Sequence, residues 1–384
     1  MSPMMQPPLA LYVHLPWCVR KCPYCDFNSH TAGANAPRAR YIAALLADLD
    51  AETKRATGRA LSSIFLGGGT PSLFPPGEIA ELVAGIRARF ELTDDVEITM
   101  EANPGTIECG DPEGYLAAGI NRLSIGAQSF DASMLAKLGR IHSAGDIAAA
   151  VGAASATGFT NINIDLMYGL PGQDVAAALE DLRAASKLQP AHLSWYQLTL
   201  EPNTVFHARP PADMPGHDLC ADIQTAGQAL LAGLGFKQYE VSAYARDGQA
   251  CRHNLNYWSF GDYLAVGAGA HGKISDAAGV WRYAKIANPV GYMQALESGQ
   301  PAAAPTALDQ GELVFEFMLN VSRLTQGFEL GLFTQRTGLP ARILSERLLP
   351  LRDRGLMEEP VAGTWRASEL GMRFLNDLQA AFLP

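Results

Sequence analysis

The sequence contains no apolar run that approaches the length of a membrane span, no internal repeat and no low-complexity tract. The first absence argues against a bilayer-crossing helix, which needs about 20 mostly apolar residues. Net positive charge is lacking too: 29 Lys plus Arg face 39 Asp plus Glu, a formal charge of −10. Nonspecific nucleic-acid binding relies on Lys and Arg to neutralise phosphates, so that class of function is not expected. Cysteine is scarce and unevenly spread, six in 384 residues. Three crowd into Cys18–Cys25, which leaves Cys109, Cys220 and Cys251 scattered, a reducing-compartment pattern and not a disulfide framework. Met1 to Pro8 has no basic segment followed by a long apolar one, so no signal peptide is expected and the protein is expected in the cytoplasm. What the chain does have is apolar content, 48%, with only 18% charged residues. Its length and composition suit one large domain plus a smaller one, with a sizeable buried core.

The stretch Cys18-Val19-Arg20-Lys21-Cys22-Pro23-Tyr24-Cys25 carries the strongest chemical signal. The spacing is too irregular for one helical face and reads as a loop wrapped around a group, just after the apolar run Leu9 to Leu15. Three thiolates from one loop suit an iron–sulfur cubane, and one iron of a four-iron cluster then lacks a protein ligand. The competing reading is a zinc site of three Cys with His14 or His30.

Taken in order, the chain alternates strand and helix patterns. Strands are expected at Leu9–Leu15, Ser63–Leu66, Val96–Glu101, Arg122–Gly126, Asn161–Leu166 and His192–Leu198, with helical stretches between them. Six such units imply a parallel sheet with right-handed crossovers, too few for an eight-fold barrel and suited to a partial (β/α)6 barrel. Polar and glycine residues fall at the expected strand ends, where ligands of such sheets collect. Beyond residue 200 the pattern changes. A helix at Ala221–Leu234 and a strand at Gln238–Tyr244 precede Cys251-Arg252-His253-Asn254-Leu255-Asn256-Tyr257-Trp258, read as a loop, and the glycine-rich Gly267–Gly272. Gln300 to Pro305 reads as a linker. Helices at Glu312–Asn320, Gly331–Thr337 and Arg342–Arg354, two strands around Gly363 and a helix at Glu369–Phe382 make a winged-helix-like order. Gly327–Pro384 balances seven Arg with seven Asp plus Glu, so no basic footprint for DNA accompanies it. The expected division is a barrel over 1–200, an extension over 201–299 and a small α+β domain over 300–384.

The three-cysteine loop after a first strand resembles the radical S-adenosylmethionine (SAM) superfamily. Its context, Tyr12 to Cys18 and Cys25-Asp26-Phe27, is similar to the oxygen-independent coproporphyrinogen III oxidase group. The resemblance implies a [4Fe-4S] cluster on Cys18, Cys22 and Cys25 whose open iron is chelated by SAM. It further implies that Gly68, Gly69 and Thr70 hold the methionine end of SAM. Glu101, Gln128, Arg140 and Asp165 match the polar residues used around SAM, and Tyr12 and Tyr24 flank the cluster. Read singly, each of these is as well explained by a capped turn, a tight glycine turn or a solvated charge.

Two features divide the group. His253-Asn254-x-x-Tyr257-Trp258 combines an imidazole, able to ligate iron, with flat apolar rings for a macrocycle; the plain alternative is a satisfied histidine beside core aromatics. This signature resembles the heme-chaperone branch of the group and is lacking in the oxidases, which carry a fourth cysteine where this chain has Phe27. The resemblance therefore implies a protein that binds heme through His253, Asn254, Tyr257 and Trp258 and hands it to heme-accepting proteins such as respiratory enzymes, with room for a homodimer. The alternative is the oxidase itself, decarboxylating two propionates of coproporphyrinogen III by radical SAM chemistry.

Overall fold

The structure is a computed structural model that describes residues 6–33, 35–105 and 111–384. Cys109 and the first five residues, on which two of the sequence expectations partly rest, lie outside the described residues.

Six parallel strands follow the sequence order: β1 Leu9–Leu15, β2 Leu61–Gly68, β3 Leu92–Ala102, β4 Arg122–Gln128, β5 Ile162–Tyr168 and β6 His192–Gln197. Most of their residues are buried on both faces, as in parallel sheets covered by crossover helices. The crossovers are α1 Arg38–Ala56, α2 Pro76–Arg87, α3 Pro112–Ala117, α4 Ala144–Ala156 and α5 Val175–Lys187. Local chemistry sets several of their starts. Ser143 and Asp146 form a reciprocal capping box on α4, and Asp174 accepts from the Ala177 N–H at the start of α5. α1 buries Tyr41, Ile42, Leu45 and Leu49, a helical-period stripe, in the main core.

The sheet continues past the six units. After α6 His217–Gly233, the expected strand at Gln238–Tyr244 is instead a hairpin, β7 Lys237–Glu240 and β8 Ala243–Ala245, which extends the β6 edge. The segment expected as a loop is a short helix, α7 Arg252–Trp258. It leads into β9 Asp262–Val266, which pairs in parallel with β1 on the opposite side from β2. Gly267–Gly272 turns the chain into the antiparallel strands β10 His271–Asp276 and β11 Gly279–Ala284, and β12 Thr306–Ala307 finishes that edge. The result is one open twelve-stranded mixed sheet, ordered β12-β11-β10-β9-β1-β2-β3-β4-β5-β6-β8-β7.

The C-terminal segment has its own core around Phe317, Phe333, Leu344, Leu348 and Trp365, which also takes in Phe260 and Val280 from the preceding region. Its helices α8 Gln310–Val321, α9 Leu330–Thr337 and α10 Ala341–Asp353 accompany a three-stranded sheet ordered Phe328–Glu329, Thr364–Ala367, Met357–Val361, whose first strand lies between α8 and α9 in the chain. The expected last helix is two pieces, Glu369–Arg373 and Leu375–Ala380, broken at Phe374. Among the described residues, no helix is long and apolar enough to cross a membrane.

Candidate functional site

The cysteine loop is fastened at both ends. Trp17–Cys18 pairs in parallel with His30–Thr31. Lys21 Nζ donates to the carbonyls of Phe27 (3.1 Å) and Ser29 (3.3 Å). Asn28 Nδ2 donates to the carbonyls of Ala268 (2.9 Å) and Ala287 (2.8 Å), which ties the loop to the glycine-rich turn after β9. Cys18, Cys22 and Cys25 are part-exposed free thiols that line one cavity of about 580 Å³. Burial pushes the thiols of Cys18 and Cys25 up; coordination by a metal would reverse this, since a ligating thiol gives up its proton.

Both histidines of the zinc alternative hydrogen-bond to other groups of the chain. Nδ1 of His14 is 3.0 Å from the Tyr12 hydroxyl and Nε2 is 2.9 Å from the Asn28 carbonyl, so both ring nitrogens are occupied. His30 Nε2 lies 3.1 Å from Asn28 Oδ1. Among the described residues, no three His, Cys, Asp or Glu side chains converge on one point as a single ion requires. Three free thiols of one loop on one cavity are the donor type that an iron–sulfur cluster takes.

Around the thiols a tier of groups lines the same cavity: Gly68, Gly69, Thr70, Glu101, Gln128 and Asp165 from the strands and the turns that follow them, Arg140 from a loop, and Tyr24 from the cysteine loop itself. Gly68 has φ +111°, and a Cβ there would sit 2.3 Å from the His14 ring, so the turn requires glycine. Its N–H donates to Glu101 Oε2 at 3.0 Å. Asn103 Nδ2 donates to Thr70 Oγ1 at 3.1 Å, and Asn103 Oδ1 accepts from Arg140. Arg140 also reaches the Gly126 carbonyl (2.9 Å) and Cys22 Sγ (3.5 Å), so one guanidinium touches the thiol loop and the end of β4. Asp165 accepts from Ser124 Oγ (2.9 Å) and Asn163 Nδ2 (2.7 Å). Gln128 sits at φ +69°, beside a register shift between β4 and β5, and its Oε1 accepts from the Tyr196 hydroxyl at 2.8 Å. A non-glycine residue held in that region beside a bulge is the kind of local strain that accompanies functional sites.

Two carboxyl groups in this tier are electrostatically unsettled. Burial, then the charge of Asp165, pushes Glu101 up to about 7. Burial likewise raises Asp165, against the hydrogen bonds from Ser194, Asn163 and Ser124. A ligand that brings a cation to Glu101 and hydroxyls to Asp165 would relieve both. Tyr12 does not line the cavity. Its hydroxyl is committed to His14, and its ring is stacked on Phe65 at 6.3 Å.

The residues of the His253–Trp258 signature divide between two environments. Asn254 and Trp258 line the cavity; His253 and Tyr257 do not. The His253 imidazole is packed 5.1 Å from the Phe65 ring, with Nδ1 3.3 Å from Ser63 Oγ. Burial and then the charge of Arg122 lower its pKa to about 4, so the ring is neutral. Tyr257 meets Trp258 edge-on at 4.9 Å and lies against Tyr263. Sequence reasoning did not single out Asn103, Tyr196, Arg122 or Arg323, all of which line the cavity. Asn103 was visible only as a turn residue and Arg122 as the start of a strand, while Arg323 arrives from the C-terminal segment with no local signal.

Residues 12–185 match the family model for the Radical SAM superfamily. The chain is 45% identical over 383 residues to the heme chaperone HemW of Haemophilus influenzae, with 98% of each chain covered. It is 46% identical over 378 residues to the heme chaperone HemW of Escherichia coli, again over 98% of each. HemW of Mycobacterium tuberculosis is 36% identical over 91% of this chain and 89% of its own. Among solved structures, coproporphyrinogen III oxidase (HemN) of E. coli, a radical SAM enzyme, matches with a TM-score of 0.83 over 99% of this chain and 91% of that one. At 24% identity that likeness is one of fold.

Proposed function

The chain belongs to the radical SAM superfamily and, within it, to the heme chaperone HemW family, and on that footing we propose that it binds heme and delivers it to heme-accepting proteins such as respiratory enzymes. The observation that carries this reading is the match to two heme chaperones at 45% and 46% identity along almost the whole chain. Phe27, 59% exposed at the cavity where the oxidases have a further cysteine, argues against the decarboxylase alternative. We assign the [4Fe-4S] cluster to Cys18, Cys22 and Cys25. SAM is assigned to Gly68, Gly69, Thr70, Glu101, Gln128, Arg140 and Asp165, with Tyr24 beside the cluster and Tyr12 behind it. When bound, the cluster and SAM would supply redox-active iron and a closed fourth iron site. The chain's own contribution is to hold charge in place: Arg140 opposite Cys22, Glu101 beside the Gly68 N–H, and Asp165 among Ser124, Asn163 and Ser194.

Heme is assigned to the His253–Trp258 signature. Asn254 and Trp258 offer direct contact from the cavity wall, and Tyr257 buttresses Trp258. His253 is the candidate iron ligand; ligation would require its ring to leave the pocket between Ser63 and Phe65. A cytoplasmic site of action and a homodimer joined near the exposed cysteine loop are part of the same proposal. The test is an anaerobic reconstitution followed by a heme titration. Cluster-loaded wild type is expected to contain acid-labile sulfide and to give a saturable shift of the heme absorption band, and Cys18→Ala, Cys22→Ala and Cys25→Ala are each expected to lose the sulfide. Bound zinc without sulfide would sink the cluster assignment. An unaltered heme spectrum on adding wild type would sink the chaperone reading. An unchanged heme spectrum and affinity in His253→Ala would remove that residue as ligand.

A further inference from the structure

The part of the cavity wall that carries Arg122, called its floor below, is left without a role by the cofactor assignments. Arg122, the first residue of β4, lies on this part of the wall and is only 2% exposed. Its Nε is buried without a hydrogen-bond partner among the described residues. Glu97 and Asp165 supply nearby negative charge, but the hydrogen bonds they accept come from other groups. Glu97 accepts from the N–H groups of Arg252 (3.0 Å) and His253 (3.2 Å), and Asp165 from Ser124 and Asn163. A guanidinium carries five N–H donors, and a buried donor left unpaired is destabilising, more so when it is charged.

A second donor on the same wall is also unpaired: Trp258 Nε1, buried and without a partner among the described residues. The Arg323 guanidinium lies over the Trp258 ring, 4.3 Å from its centroid. Arg323 is in turn anchored by Glu240 at 2.8 Å. Two unpaired N–H donors on residues that line one cavity, one of them on a planar cation, suit a carboxylate, which Arg binds in a fork geometry.

We propose that the cavity floor is a carboxylate-binding subsite in which Arg122 and Trp258 Nε1 take up a propionate of heme, with Arg323 as the positioning residue for the Trp258 ring. The proposal rests on the heme reading above, but makes a separate claim: the floor reads the acid group and not the macrocycle. It also gives the C-terminal segment a part in the site, because Arg323 follows α8.

The experiment compares heme with its dimethyl ester, which keeps the ring and loses both carboxylates, on cluster-loaded full-length protein by absorption titration. Wild type is expected to favour the free acid by about tenfold or more, the scale of a hydrogen bond to a charged group. Arg122→Gln is expected to bring the acid-to-ester ratio to about one, Arg122→Lys to keep part of the preference, and Trp258→Phe to reduce it several-fold. If Arg122→Gln fails to fold by circular dichroism, Arg122→Lys and Trp258→Phe carry the test, and an undiminished ratio in both overturns the subsite. Equal binding of acid and ester by wild type overturns it too, and leaves the heme reading intact. If wild type binds neither compound, the heme reading itself falls and takes this proposal with it.

Discussion

Glu101 shows how a single residue links the fold to the site. It ends the buried part of β3, takes the Gly68 N–H and faces Asp165 across the cavity. Its folded pKa of about 7 lies above the ordinary carboxyl value of about 4.3. Between those two values the unfolded chain has lost the proton while the folded chain keeps it, so the folded state binds more protons and loses stability as pH rises through that window. The urea midpoint of the ligand-free protein is therefore expected to fall between pH 5 and pH 8 more in wild type than in Glu101→Gln. Parallel curves for the two proteins would contradict this. At this scale the sequence was most legible where residue type alone dictates chemistry, as with the three thiols, or where only glycine fits, as at Gly68. It was least legible at Arg122, because an arginine at a strand start reads as a solvated charge, and only tertiary packing makes it a buried cation.

Among the elements, α7 is the one that carries the signature residues and the one the sequence hid. It spans only seven residues, and Cys251 at its N-cap makes no side-chain capping bond. The missing cap is supplied from another element: Glu97 of β3 accepts from the N–H groups of Arg252 and His253 and from Cys251 Sγ (3.4 Å). Without a local Ser, Thr, Asp or Asn the start signal is absent, and the segment reads as a loop. Glu97→Ala is expected to cost roughly 2 kcal/mol, by leaving buried N–H groups unpaired, and to weaken heme binding together with stability. A denaturation midpoint equal to wild type would show that α7 is held by packing alone. The first six strands were legible because each is a buried apolar run ending in turn residues. The strands β9, β10 and β11 were not: a glycine-rich turn separates β9 from β10, and the pairing of β9 with β1 is set by contacts distant in sequence.

Across the whole molecule, the twelve-stranded sheet and the C-terminal core are joined by aromatic contacts. Phe317 of α8 is fully buried and meets Phe260, Phe328 and Phe333 edge-on at 5.6, 5.5 and 5.2 Å. Phe317→Ala is expected to cost about 3–5 kcal/mol and to lower the unfolding temperature of the chain as one transition; early melting of the C-terminal segment alone would show that the two cores are energetically separate. The three helices α8, α9 and α10 of the C-terminal segment were legible in their periodicity, but its docking, and the delivery of Arg323 to the cavity, were not. The central claim is that this radical SAM scaffold holds heme and does not convert a porphyrinogen. The most direct measurement is a single anaerobic incubation of the cluster-loaded chain with SAM, a reductant, heme and coproporphyrinogen III, followed by chromatography of the protein-bound and free tetrapyrroles. The account predicts heme retained on the protein and coproporphyrinogen III recovered unchanged; protoporphyrinogen IX formed in proportion to SAM consumed would contradict it.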